Sequence, residues 1–336
     1  MSDSQDHPDT TGAGGPEAAR PVIPAAAHSR SGPAEVEYLT AELLESPRRR
    51  RIWLPLVLFV VTCFSTFWSA IMDWQPAFFI GNADYLRRLL ASHWEQGLIY
   101  MAAVIGILLF HEMGHFIATV IHRIPASFPF FIPLPISPIG TMGAVIGMAG
   151  HRANRREMFD IGIAGPLAGL VLAIPVLWIG IRHLDMSTPA YGPMAFDCPL
   201  LVRWMIHWLR PELGEVSRIA ISQVNPWFMA AWVGLFVTGL NMMPISQLDG
   251  GHVIYALYVR RAHYLARAFL ISVILYIVFT DAYMWSVMLI IVTVIGTDHP
   301  PTANDRMPLG RFRVVLGTAS LILPFICFPP HGLFME

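Results

Sequence analysis

The residues His111-Glu112-Met113-Gly114-His115 carry the most direct chemistry in this sequence. In an α-helix of 3.6 residues per turn, positions four apart project from one face. The two imidazoles can therefore take two corners of a zinc tetrahedron. The Glu112 carboxylate can reach a water at an open corner, and zinc makes such a water acidic enough to be activated for attack on a carbonyl. The flanking residues Leu108-Leu109-Phe110 and Phe116-Ile117-Ala118 are apolar. Ionisable side chains inside such a run are costly in a bilayer and rare without function. The plainer alternative, polar groups that merely pack helices, does not explain why all three share one side.

Two histidines leave a catalytic zinc one protein ligand short. The stretch Asn241-Met242-Met243-Pro244-Ile245-Ser246-Gln247-Leu248-Asp249-Gly250-Gly251 closes a later apolar run. Pro244 disrupts a helix there, and the glycine pair permits a tight excursion, so Asp249 stands at the broken end of a span. An Asp-Gly pair also reads as an ordinary turn. Depth favours a ligand. If the histidine-bearing helix and the run 226–245 both cross in the same direction, both motifs reach the same half of the bilayer.

The elements that must hold these residues are apolar helices. The chain of 336 residues is 55% hydrophobic and only 13% charged, with a mean hydropathy of +0.54, which indicates a polytopic membrane protein and excludes a soluble zinc hydrolase. Apolar runs occur at 52–72, 97–121, 158–181, 226–245, 265–280, 283–297 and 314–328. The segment 125–150 is apolar but dense in proline and glycine, so it predicts a re-entrant hairpin or loop, which survives in lipid only when buried in protein. Residues 1–47 read as a disordered tail. Its acidic residues argue against a transit peptide, and it has no secretory-signal pattern. Cys63, Cys198 and Cys327 form no metal or disulfide pattern.

The basic residues are all arginine and are scattered, which gives no nucleic-acid signal. Placing the N-terminus in the cytosol puts Arg48–Arg51, Arg123, Arg152, Arg155, Arg156, Arg260, Arg261, Arg267, Arg306, Arg311 and Arg313 inside. Arg87, Arg88, Arg182, Arg203, Arg210 and Arg218 then lie outside. The positive-inside rule favours that orientation, with the chemistry in the cytosolic half.

The two motifs together resemble the site-2 protease family of intramembrane zinc metalloproteases, over roughly residues 97–257. The resemblance implies one zinc ion held by His111, His115 and Asp249, with Glu112 as general acid/base. It implies that Asn241 lies near the substrate or its oxyanion, although an amide in a helix interface also reads as a packing hydrogen bond. Ile139-Gly140-Thr141-Met142-Gly143-Ala144 is similar to the family's membrane re-entrant β element. Gly140, Thr141 and Gly143 then become substrate-binding candidates on a strand edge that pairs with an unwound substrate. Loop packing is the alternative for that segment. No PDZ-like insertion separates the motifs, unlike in some relatives. Asp298-His299-Pro300-Pro301-Thr302 is similar to a cytosolic piece of some members, and His299 reads as a solvated loop histidine.

The expected fold is an all-α polytopic membrane protein of about six or seven transmembrane helices with a small re-entrant β or loop element. Its expected parts are the tail 1–47, a first span and external loop 48–96, a protease core 97–257 and C-terminal spans 258–336. The expected activity is cleavage of transmembrane segments of other proteins, in a bacterial cytoplasmic membrane. The partners are a transmembrane protein substrate and the bilayer, with no nucleic acid; the oligomeric state is open. A non-catalytic scaffold or chaperone would keep the fold without needing Glu112. An ion transporter would need polar groups along a whole path, whereas these cluster near one face.

Overall fold

In chain order the helices and strands are α1 (Trp53–Ile71), α2 (Ala83–Ile121), β1 (Phe130–Leu134), β2 (Gly140–Val145), α3 (Arg155–Arg182), β3 (Met194–Asp197), α4 (Leu200–Leu209), β4 (Arg218–Ala220), α5 (Pro226–Asn241), α6 (Asp249–Tyr258), α7 (Ala262–Thr280), α8 (Ser286–Ile295), α9 (Arg311–Ser320), α10 (Leu323–Cys327) and β5 (Leu333–Met335). This computed structural model describes residues 52–75, 83–190, 192, 194–245, 247–296 and 299–335. The expected tail, Arg48–Arg51 and Asp298 lie outside them.

Among the described residues, 4 helical stretches are long and apolar enough to cross a bilayer: α1, α2, α3 and Asp249–Thr280, the last interrupted by the 3₁₀ turn Val259–Arg261. The described residues are thus mostly helical, with candidate membrane-crossing helices and two small sheets. Length alone does not reach the expected six or seven spans. Helix α5 has 16 residues, α8 has 10, and the run 314–328 is divided between α9 and α10. In the other direction, α2 starts at Ala83, where a loop to residue 96 was expected. The charges of Asp84, Arg87 and Arg88 end the hydropathy signal there, but Ala, Leu, Arg and Glu are good helix formers and continue the helix. At 39 residues it is about 58 Å long, nearly twice the hydrocarbon thickness.

The segment 125–150 forms a hairpin. Strands β1 and β2 pair antiparallel, Phe130 with Val145 and Leu134 with Gly140, with an irregularity between Phe131 and Pro133. Helix α1 shows how this irregular backbone is accommodated. Its buried Thr62, Ser65, Thr66 and Ser69 form a small polar stripe, while Leu56, Val60 and Phe64 are exposed on the other side. Ser65 donates to the Gly140 carbonyl (2.5 Å), Ser69 to that of Pro138, and Tyr100 of α2 to that of Ile139 (2.7 Å). Each such bond contributes only about 0.6 kcal/mol, but an unpaired carbonyl in hydrocarbon costs several kcal/mol. Gly140 has φ +79°, and a Cβ there would stand 2.7 Å from the Ser65 carbonyl oxygen, so only glycine fits this approach.

Helix α5 is buried nearly all round, from Phe228 to Leu235. It begins at Asn225, which accepts from the Phe228 N–H and donates to the Gly180 carbonyl, 2.9 and 2.8 Å. At this end, the C-terminal end of α3, strands β4, β3 and β5 form a sheet in that order. Buried Asp197 binds Arg203 (3.0 Å) and the backbone N–H of His331 (3.0 Å), while Trp232 donates to its carbonyl (2.8 Å). At the other end, Asn154 and Glu157 form a capping box that starts α3. There Arg155 donates to the carbonyls of Ala256 and Leu257, and Asp160 joins His122 of the turn after α2 to Arg313 of α9.

Beside Asp197, Cys198 is fully buried, and burial pushes its thiol up to about 12. Cys198 should stay unmodified by iodoacetamide at pH 8 in the folded protein and react fully after denaturation. Peptide mass mapping reads this, and rapid native alkylation at that position would contradict the buried sheet.

Candidate metal centre

The crossing of α2 with α3 makes room for the two imidazoles. A Cβ at Gly114 would stand 2.4 Å from the Ala164 carbonyl oxygen, so the backbones touch there. A Cβ at Gly165, the next residue of α3, would stand 2.0 Å from His115 Nε2, and one at Gly169, a turn further along, would stand 3.1 Å from His111 Nδ1. The rings occupy the space that these glycines leave. Small residues at this spacing let membrane helices approach closely. His111 and His115 lie side by side, ring centroids 5.0 Å apart, and both are buried. His115 Nδ1–H donates to the Ile161 carbonyl (2.7 Å), which leaves the Nε2 lone pair free toward the site.

Asp249 arrives from the opposite side as the first residue of α6. The chain leaves α5 at Asn241 and re-enters helix at Asp249. A Cβ at Gly250 would stand 2.0 Å from the Met242 carbonyl oxygen, so the turn closes only because residue 250 is glycine. Asp249 Oδ2 lies 3.2 Å from His111 Nε2 and 3.2 Å from His115 Nε2. Bonds of about 2.0–2.1 Å at tetrahedral angles set donor atoms about 3.3 Å apart. All three donor atoms lie within 4.8 Å of one another, and two nitrogens with one carboxylate oxygen are a zinc donor set. The residues fit the metal.

Glu112 is 4% exposed and lines a cavity of about 160 Å³ together with His115, Asp249, Asn241, Gln247 and His252. Asn241 Nδ2 lies 3.3 Å from His111 Nε2. The far wall of the cavity is the end of β2 and the residues after it, Ala144, Val145, Ile146 and Met148. The three expected substrate contacts of this strand are not on that wall. Gly140 is held against α1, Thr141 Oγ1 donates to the Ile132 carbonyl (2.9 Å), and Gly143 N–H donates to Thr141 Oγ1 (3.0 Å). Gly143 has φ +99° and an added Cβ would meet nothing, so its requirement is conformational. The hairpin reaches the site, but through its last residues.

His299, expected to be a solvated loop histidine, is instead bonded to His252 beside the site. His252, one turn after Asp249, lies on the cavity and packs on Gly162, where a Cβ would stand 2.8 Å away. His299 Nδ1–H donates to the Pro300 carbonyl (2.5 Å), so its Nε2 accepts from His252 Nδ1–H at 2.6 Å. Its ring stacks on Tyr255, 4.3 Å between centroids, and burial lowers its affinity for a proton. The i, i+3 spacing from Asp249 to His252, and the glycine spacing 162–165–169 on α3, were the available signals.

Residues 99–280 match the model of a family described as Peptidase family M50, which includes the site-2 proteases. The chain belongs to this family. It is 31% identical over 244 residues to the probable zinc metalloprotease EGY1, chloroplastic, of Oryza sativa subsp. japonica, covering 67% of this chain and 42% of that protein. The Arabidopsis thaliana protein of the same name is 29% identical over 253 residues, 72% of this chain and 44% of the relative. The Arabidopsis thaliana EGY2 is 29% identical over 265 residues, 75% and 46%. The chain thus spans less than half the length of these relatives. Their names place those proteins in chloroplasts and lend no support to a bacterial cytoplasmic membrane for this one.

Gly165→Ala should reduce bound zinc at least tenfold while leaving helix content unchanged, because the new methyl overlaps the His115 ring. Gly169→Ala, at 3.1 Å, should lose less. Elemental analysis of the purified variants measures this, and full zinc in Gly165→Ala would show that the helices can separate without cost.

Proposed function

We propose that this chain is an intramembrane zinc endopeptidase that cuts transmembrane segments of other membrane proteins, using one zinc ion. The observation that carries the reading is the His111, His115 and Asp249 donor set with buried Glu112 beside it, on a cavity walled by the end of a β-strand. His111 and His115 lie about 15 and 9 Å from the C-terminal end of α2, a depth inside the hydrocarbon core.

His111, His115 and Asp249 would hold the ion. When bound, zinc acts as a Lewis acid that acidifies water and polarises a carbonyl. Glu112 takes the proton from the attacking water and gives it to the amide nitrogen as the C–N bond breaks. The Asn241 amide donates a hydrogen bond to the oxygen that gains charge during attack. In a helix the peptide bond is shielded by its own hydrogen bonds and by the surrounding side chains. The substrate must therefore unwind, and the β2 end at Ala144 and Val145 offers it strand pairing.

Contacts at the two ends support seven crossings, with α5 and α6 forming one broken span. Arg155 at the start of α3 binds the end of α6, and the Ala303 N–H donates to the Ala153 carbonyl at that same end. Trp285, between α7 and α8, donates to the Pro330 carbonyl, close to the sheet at the other end. Helix α7 thus crosses away and α8 returns. Arg123, Arg152, Arg155, Arg156, Arg260, Arg261 and Arg306 fall on the first side, which supports a cytosolic placement of that side and of the metal-binding half.

In the reconstituted full-length protein, Glu112→Gln should retain zinc and lower cleavage of a transmembrane substrate by about 10²–10⁴-fold. Unchanged cleavage would remove Glu112 from the mechanism, and a non-catalytic scaffold would show no cleavage in the native protein either. Asp249→Ala should lose most of its zinc. Asn241→Ala should keep zinc and KM but lose about 10²-fold or more in kcat, as for other oxyanion donors; a change in KM alone would mark a binding role instead.

A further inference from the structure

The turn between α6 and α7 faces a second kind of chemistry. Leu257–Arg261 and Ala303–Arg306 enclose an open cavity of about 830 Å³. Its basic residues are Arg260, Arg261 and Arg306, and its one acid is Asp305. Both oxygens of Asp305 are engaged, Oδ1 by the Thr302 hydroxyl at 2.6 Å and Oδ2 by the Tyr255 hydroxyl at 2.9 Å. None of the three arginines forms an ion pair among the described residues. The wall is held in place by these bonds, by the His252–His299 contact and by the Asn304 carbonyl, which accepts from the Arg155 N–H. The turn itself is sharp, with Val259 at φ +47°. Arg260 and Val259 also border an adjoining cavity of about 320 Å³, which reaches His263.

Position selects the ligand. The turn joins two helices of one apolar stretch and lies at the N-terminal end of α3, where Arg155 meets Ala256 and Leu257. Tyr258 and Tyr264 beside it are exposed, as aromatic residues at headgroup depth are. Leu265, Ile271 and Leu275 continue along α7 as an exposed apolar face. Three guanidinium groups at headgroup depth, beside a track for acyl chains, match an anionic phosphate joined to a lipid tail. The geometry points to a binding site for the headgroup of an anionic phospholipid in the cavity formed by Arg260, Arg261 and Arg306. The bound phosphate ties Arg306 of the 299–310 segment to the α6–α7 turn, and so steadies the helix that begins at Asp249.

The full-length protein in neutral detergent is titrated separately with dioleoylphosphatidylglycerol, dioleoylphosphatidylcholine and inorganic phosphate. Binding is read as lipid adducts in native mass spectra and as the thermal midpoint. Phosphatidylglycerol should bind and raise the midpoint, and the other two should do so at least tenfold more weakly. In the variant R260Q/R261Q/R306Q, affinity for phosphatidylglycerol should fall about a hundredfold with zinc content unchanged. If that variant does not fold, R306Q alone should lose at least threefold and R306K should recover most of it. Equal binding of phosphatidylcholine, or undiminished binding by the arginine variants, overturns the site. Inorganic phosphate binding as tightly as phosphatidylglycerol overturns the lipid assignment in favour of free phosphate. These readouts do not involve proteolysis, so their failure leaves the peptidase reading untouched.

Discussion

The close contact of α2 with α3 governs the arrangement. Two imidazoles can enter a tight helix interface only where the facing helix gives up its side chains, and Gly165 and Gly169 do so. The contact also supplies the Ile161 carbonyl that fixes the His115 tautomer. Separating the helices by even an ångström would free His115 to rotate and would leave a polar backbone group without its partner. Metal geometry and helix packing are therefore one constraint.

The same economy of polar groups explains the irregular segments. Backbone that is not helical and is buried away from water must be satisfied by protein. The hairpin obtains its partners from the serines of α1 and from Tyr100, which are hydroxyls on otherwise apolar helices. The break between α5 and α6 is closed by the approach of Gly250 to Met242, and it delivers Asp249 at a helix start. Each irregularity borders the cavity that holds Glu112.

Polar clusters at the two ends hold the helices in register. Asp197 gathers Arg203, Trp232 and His331 at one end. Asp160 gathers His122 and Arg313 at the other, one residue before the Ile161 carbonyl that orients His115. The segment from His299 to Asp305 is bound to α6 through His252 and Tyr255, so a part of the chain far along the sequence braces the helix that begins at Asp249.

What the sequence alone determined is local. The i, i+4 spacing puts His111 and His115 on one face, because helix geometry is set by neighbouring residues. Proline and glycine between 125 and 150 exclude a spanning helix for the same reason, and the hairpin is there. The helical membrane character follows from composition. Helix ends were less legible: hydropathy marks the lipid boundary, whereas α2 continues as a helix to Ala83 beyond it. The tertiary structure alone decided which residues meet. It brought Asp249 within 3.2 Å of both histidines, put Ala144 and Val145 rather than Gly140, Thr141 and Gly143 on the cavity, and joined His299 to His252. Those contacts depend on the crossing of helices remote in sequence, and no local spacing encodes the distance between two such helices.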